Sequence, residues 1–216
     1  MGRQRLPHTF FAHDTLTVAR AVLGQRVVRL YQGERLSGRI VEVEAYLGED
    51  DLACHARSGQ TARNAAMFGP PGHAYVYLIY GMYHCLNLVT ECAGTPAAIL
   101  IRALEPEEGL ATQQQLRQGR PLRDLTRGPG RLCQALAIDR TLNGHDLCAP
   151  DAALWLEAAP LPPDAIIAQS PRINVRGDER ALTVPWRYYL QGNPWVSANR
   201  ASSIQKTEET TQSKGG

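Results

Sequence analysis

Two glutamates and a tyrosine stand at alternate positions of the segment VEVEAYL, as Glu42, Glu44 and Tyr46. Side chains two apart on a strand share a face, so this run presents two carboxylates and a phenol together. A carboxylate on a rigid strand can act as a general base, worth roughly 10²–10⁴ in rate. The same alternation also describes a solvated edge strand. A second cluster holds Tyr75, Tyr77, Tyr80 and Tyr83 with His84, which is four of the chain's eight tyrosines in one short stretch. Such rings form stacking platforms for nucleobases, and they equally stabilise ordinary hairpins by cross-strand pairing. Tyr80 and Met82 flank Gly81; large apolar side chains at a turn suit a wedge driven between base pairs through the minor groove better than they suit water. His55 lies in the loop after the acidic strand, whereas His13, His73 and His145 are scattered. No H-E-x-x-H or comparable ligand spacing is visible, so no metal is expected.

Other residue types narrow the chemistry. Arg102 interrupts the apolar run AAILIRALEP, and an arginine there needs an anionic partner or a functional reason. The only lysines are Lys206 and Lys214, both in the polar tail, so a Schiff-base lysine is excluded from the folded body unless the terminal amine substitutes. Cys54, Cys85, Cys92, Cys133 and Cys148 form an odd set without a C-x-x-C pair, which fits neither a disulfide framework nor a thiolate zinc site. No stretch approaches the roughly 20 apolar residues of a membrane span, and the N-terminus has no signal-peptide pattern. A soluble protein without membrane contact is expected, cytoplasmic in a prokaryote or nuclear in a eukaryote.

The formal net charge of +2 averages segments of opposite sign. Residues 1–40 carry seven arginines against Asp14 and Glu34, and residues 111–140 carry six against Asp124 and Asp139. Between them, residues 41–52 hold five acids and no base. This reads either as a polyanion-binding surface around a catalytic carboxylate or as ordinary solvated faces.

The elements that must position these residues follow from periodicity. Residues 14–24 read as a helix with Asp14 as N-cap and Gly24 as terminator. QRVVRLY reads as a strand, and Gln32-Gly33 turns the chain into LSGRIVEVEAYL, where Val41, Val43, Ala45 and Leu47 face the core. Residues 48–72 form a long loop with a helical turn near Ala65, and loops of that length usually serve a purpose. Residues 73–90 read as a hairpin with its tip at Tyr80-Gly81-Met82. A buried strand over 97–106, helices in EGLATQQQLRQG and GPGRLCQALAI, and short strands in ALWLEA, AIIAQ and WRYYL complete the body. Hairpins mixed with separate helices point to an α+β fold. The expected organisation is one domain over 1–199 and a disordered tail over 200–216.

The ordered segments EVEAYLG, CHAR, YVYLIYGMYHCLN, ILIRALEP, GPGRLCQALAI and NPWVS are similar to those of the alkyladenine DNA glycosylases, also called 3-methyladenine DNA glycosylases of the mammalian type. The resemblance runs from Phe10 to Ser197. It implies a single domain with a curved, mainly antiparallel sheet, flanking helices and a protruding β-hairpin, acting without a cofactor on double-stranded DNA that contains damaged purines, with a monomer as the default. By the same resemblance the general base falls on Glu44, and Arg102 lies near the catalytic water. Tyr46 and Tyr77 stack on the flipped purine, His55 contacts the lesion edge or the sugar phosphate, and Asn87 discourages the 2-amino group of guanine. The intercalating tyrosine falls on Tyr80, with Met82 and Tyr83 as hairpin neighbours, and a backbone carbonyl at about Ile173 positions the water. The chain departs from the pattern at Asn174-Val175-Arg176 and at Ala62, which stands where a proline is expected. Two other readings remain open from the residues alone: a non-catalytic module that binds damaged DNA or RNA, and a metal-dependent nuclease using Glu49, Asp50 and Asp51.

Overall fold

The computed structural model describes residues 3–197, so the tail expected over 200–216 lies outside the described residues. A short helix α1 (His8–Phe11) precedes α2 (Thr15–Ala21), whose first turn is capped by the Asp14 carboxylate accepting from the Thr17 N–H. The helix is shorter than its sequence period, and the chain leaves it through Gly24 at φ +84°. A Cβ there would stand 2.7 Å from Leu161 Cδ1, so both conformation and space require glycine.

Strand β1 (Arg26–Tyr31) turns at Gln32-Gly33 into the long β2 (Glu34–Tyr46). Both turn residues have positive φ, the geometry that matches the twist of a tight hairpin. Next come β3 (Ala74–Ile79), β4 (Tyr83–Val89) and β5 (Ala98–Glu108), then α3 (Leu110–Leu116), α4 (Pro129–Ala135), β6 (Leu154–Glu157), β7 (Ile167–Ser170), α5 (Glu179–Thr183) and β8 (Arg187–Leu190). The strand order is β3-β4-β5-β2-β1-β6, with β8 joining β2 to β7, and every pairing is antiparallel. The sheet curls into a half-barrel with a few helices against it, which makes a single α+β domain.

Strand β2 is the spine. One edge meets β5 along its length, while the other meets β1 over its first half and β8 at Glu42–Glu44. The solvated-edge reading therefore fails, because both edges are hydrogen-bonded and Glu42 and Glu44 are 0% exposed. Val41, Val43 and Ala45 join the main core as their period implies, whereas Leu47 falls beyond the strand end and is half-buried. A register shift against β5 between Ile40 and Glu42 bends the strand at Val41, and such bulges re-aim side chains. A smaller apolar cluster of Cys54, Ala56, Met67, Tyr75, Val89 and Ala98 backs Tyr46 and Tyr77.

Candidate active site: a sealed carboxylate behind an aromatic cavity

The Glu44 carboxylate is held from three sides. Its Oε1 accepts from the Ile173 backbone N–H at 2.6 Å, and its Oε2 accepts from the Tyr46 hydroxyl at 2.9 Å and lies 3.1 Å from Arg102 Nη1. A carboxylate offers about four acceptor positions, so three such partners leave one unfilled. The contact from Ile173 to the carboxylate is made by its N–H, which leaves the role expected of its carbonyl unaffected. Arg102 also donates from Nε to Glu42 Oε1 at 3.0 Å, which supplies the anionic partner its burial demanded. Glu42 accepts in addition from Arg187 Nε at 2.7 Å, Ser197 Oγ at 2.7 Å and the Ser197 N–H at 2.6 Å. Burial alone would raise the Glu42 pKa, but Arg102, Arg187 and Ser197 overcome it and hold the carboxyl below its ordinary value. The two glutamates therefore differ: Glu42 is saturated, and Glu44 keeps a free position.

In front of Glu44 opens a cavity of about 950 Å³ whose wall includes Tyr46, His55, Tyr75, Tyr77, Asn87, Arg102 and Ile173. Glu44 lies sealed behind Tyr46, Arg102 and Ile173. The His55 ring meets Tyr77 edge-on at 4.5 Å between centroids, and its Nδ1 hydrogen-bonds the Tyr75 hydroxyl at 2.9 Å, which leaves Nε2 for a ligand. Burial, with Arg63 and Arg57 nearby, lowers the His55 pKa, which favours the neutral ring. Burial raises the Tyr75 phenol to about 12 and Tyr77 further; Tyr46 also rises well above its ordinary value through burial and the Glu44 charge, so all three are neutral donors. Asn87 donates its amide to the Tyr75 carbonyl at 3.0 Å across the β3–β4 pair, which fixes its orientation. A slot of neutral aromatic rings, with Arg102 in its wall and a carboxylate behind it, suits a planar heterocycle joined to a centre that becomes cationic.

Residues 9–194 match the family model of methylpurine-DNA glycosylase. The chain belongs to the methylpurine-DNA glycosylase family. It is 50% identical over 200 residues to a Methanocella arvoryzae protein described as a candidate 3-methyladenine DNA glycosylase, covering 92% of this chain and 98% of that one. It is 48% identical over 226 residues to the mouse DNA-3-methyladenine glycosylase, covering 98% of this chain and 67% of the mouse protein.

In this glycosylase-family chain the β3–β4 hairpin stands at the cavity mouth. Tyr80 at its tip is 77% exposed with φ +54°, beside Gly81 at φ +69°, and the Met82 N–H closes the turn on the Ile79 carbonyl. A non-glycine residue in the left-handed region is unusual and marks a constrained tip. Met82 and Tyr83 are also exposed, and Tyr83 lies against Gly130 at the start of α4, where a Cβ would come within 2.9 Å of it. Tyr80 and Tyr83 both line the cavity, and Tyr80 with Met82 forms its projecting edge.

Two supports escaped the sequence reading. Asn64 accepts from the Thr61 N–H and donates to the His55 and Gly59 carbonyls, which folds the long loop beneath His55. Asp51 and Arg172 form a buried bidentate pair at 2.5 and 2.8 Å, and Arg172 also donates to the Ala45 carbonyl and lies 4.7 Å over the Tyr46 ring. This pair fixes Ile173 beside Glu44. It also removes the nuclease reading, since Asp51 is consumed by an arginine while Glu49 and Asp50 are exposed. Short local signals do accompany both supports, in the T-A-R-N string and the acidic triplet, but most of their partners are distant in sequence.

Proposed function

We propose that this chain is a monofunctional DNA glycosylase, a hydrolase that extrudes alkylated or deaminated purines from duplex DNA and cuts their N-glycosidic bond with water. The observation that carries this reading is Glu44, a buried carboxylate with one acceptor position left, behind a neutral aromatic slot. The flipped purine would stack between Tyr46 and Tyr77, with His55 Nε2 at its edge or at the sugar phosphate and Asn87 below. Glu44 would orient the water and offset the positive charge that develops on the sugar, with Arg102 fixing the carboxylate and Ile173 holding its other oxygen. An alkylated purine already carries positive charge and leaves readily. Flipping costs a few kcal/mol, least for a damaged base, and Tyr80 with Met82 would fill the gap. The core has no lysine to attack the sugar, so the expected product is an intact strand bearing an abasic site.

The test is a labelled duplex with one hypoxanthine, ethenoadenine or 7-methylguanine, incubated in chelator and analysed with and without hot alkali, beside Glu44→Gln. Alkali-dependent breaks that vanish in the variant support the reading. Breaks without alkali would overturn the monofunctional assignment, and tight binding without base release from any lesion would move the weight to a non-catalytic damage-binding module.

A further inference from the structure

We propose that His8, Asp146 and Cys148 form a site for one borderline-soft divalent cation of the zinc class, which clips α1 to the loop that precedes β6. The His8, Asp146 and Cys148 ligand atoms all lie within 4.8 Å of one another, and His8 Nε2 is 3.0 Å from Asp146 Oδ1. Around a tetrahedral zinc, with bonds of about 2.0 Å to nitrogen and about 2.3 Å to sulfur, neighbouring ligand atoms stand roughly 3.3–3.8 Å apart. Closing this triad therefore needs side-chain shifts of about an ångström. The set also suits the ion chemically: an imidazole, a carboxylate and a thiolate neutralise a divalent charge, and sulfur with nitrogen selects zinc-class metals over magnesium or calcium.

The fold brings the three together deliberately. Residues 145–148 are pinned beside 72–74 by Leu147 N–H to the Gly72 carbonyl, Ala74 N–H to the His145 carbonyl and a bridge between His73 and Asp146. Gly72 has φ +79°, and a Cβ there would fall 2.9 Å from Cys148 Sγ and 3.2 Å from His8 Cδ2, so its missing side chain is what lets thiol and imidazole converge. The Asp146 carboxylate accepts from the Cys148 N–H at 2.9 Å, which sets one oxygen beside the thiol's own backbone. His73 stands next to the triad, 5.9 Å from His8 between ring centroids, but outside the set whose ligand atoms converge, so the fourth position falls to water. None of the four lines the cavity in front of Glu44. Local spacing could not reveal the site, because the imidazole arrives from position 8 and the other two ligands from a D-x-C string far downstream.

The full chain, stripped of metal, is titrated with Cd²⁺ and with Zn²⁺. Coordination by the Cys148 sulfur is read from an ultraviolet cadmium–thiolate charge-transfer band. We expect one band-forming equivalent in the natural chain and in Cys92→Ser, and none in Cys148→Ser. His8→Ala and Asp146→Asn each weaken Zn²⁺ binding at least tenfold by calorimetry, and Zn²⁺ raises the melting temperature of the natural chain but not of Cys148→Ser. A band that survives in Cys148→Ser, or a Zn²⁺ affinity that ignores His8→Ala and Asp146→Asn, overturns the site. These readouts are independent of base release, so they succeed or fail apart from the glycosylase reading.

Discussion

At the scale of single residues the site is a matter of which groups are already committed. Tyr46 donates its hydroxyl to Glu44 and stacks its ring on the cavity, so the two roles separate by substitution. Tyr46→Phe keeps the ring and removes one of the three restraints on the carboxylate. Its expected effect is a fall in single-turnover base release of about tenfold, well short of the roughly 10²–10⁴ for a lost general base. A loss as large as that of Glu44→Gln would mean that the phenol itself takes part in the chemistry. His55 is held in the neutral form by burial first and by Arg63 and Arg57 second. Arg63→Ala should raise the His55 pKa without restoring its ordinary value, because burial persists; NMR titration of the ring reads this, and an unchanged or lowered value would contradict the assignment. Glu42, Glu44, Tyr46 and the tyrosine cluster stood out in the sequence because chemistry-bearing types recur there at strand spacing, whereas singling out Glu44, His55 and Tyr77 rested on the family resemblance. Asn64, Asp51 and Arg172 were not, because each is defined by partners that only the folded chain brings near.

At the scale of elements, the polar face of β2 is a buried charge network, and its stability depends on complete pairing. Glu42→Gln would leave Arg102 and Arg187 without their shared anion, and removing one partner of a buried pair typically costs about 3–5 kcal/mol. Urea unfolding should show a loss of that order, and a loss below about 1 kcal/mol would mean that the network is not structural. The sign with pH follows from the lowered folded-state pKa of Glu42. Its contribution is present above the unfolded-state value of about 4.3 and is lost as pH falls through the lower folded-state value. The natural chain should therefore lose stability in that acid window, and Glu42→Gln should show a shallower acid dependence. Periodicity revealed β2, the β3–β4 hairpin, β5 and the cap at Asp14. It missed α1 and α5, whose four and five residues are too short to show a helical repeat. Periodicity also left open whether β2's polar face meets water, since alternation alone does not tell a solvated face from a paired one.

At the scale of the whole molecule, the fold sorts the arginines into two populations that sequence segments alone did not separate. Those of the first forty residues are largely spent internally: Arg3, Arg26, Arg35 and Arg39 pair with Glu107, Glu108 and Glu157. Three of the six in the second basic segment, Arg117, Arg120 and Arg131, face the cavity mouth, where they join Arg57 and Arg176. Burial lowers the Arg117 pKa, and Arg131 and Arg120 lower it further, the signature of like charges crowded where an anion would relieve them. The acidic run between the two segments does not oppose this field strongly, because Glu42, Glu44 and Asp51 are buried and paired with arginine. A phosphate backbone laid across the mouth would bring its nucleotides onto the projecting Tyr80 edge. Each phosphate contact contributes about 0.9 to the slope of log K against log salt. Arg120→Ala should therefore reduce that slope by about 0.9 for a lesion-bearing duplex and weaken undamaged duplexes in parallel. Arg35→Ala should lower the melting temperature through loss of its Glu108 and Glu157 pairs and leave the salt slope unchanged. Equal changes of slope in both variants would show that the mouth arginines are not the phosphate contacts and that the DNA path crosses another face.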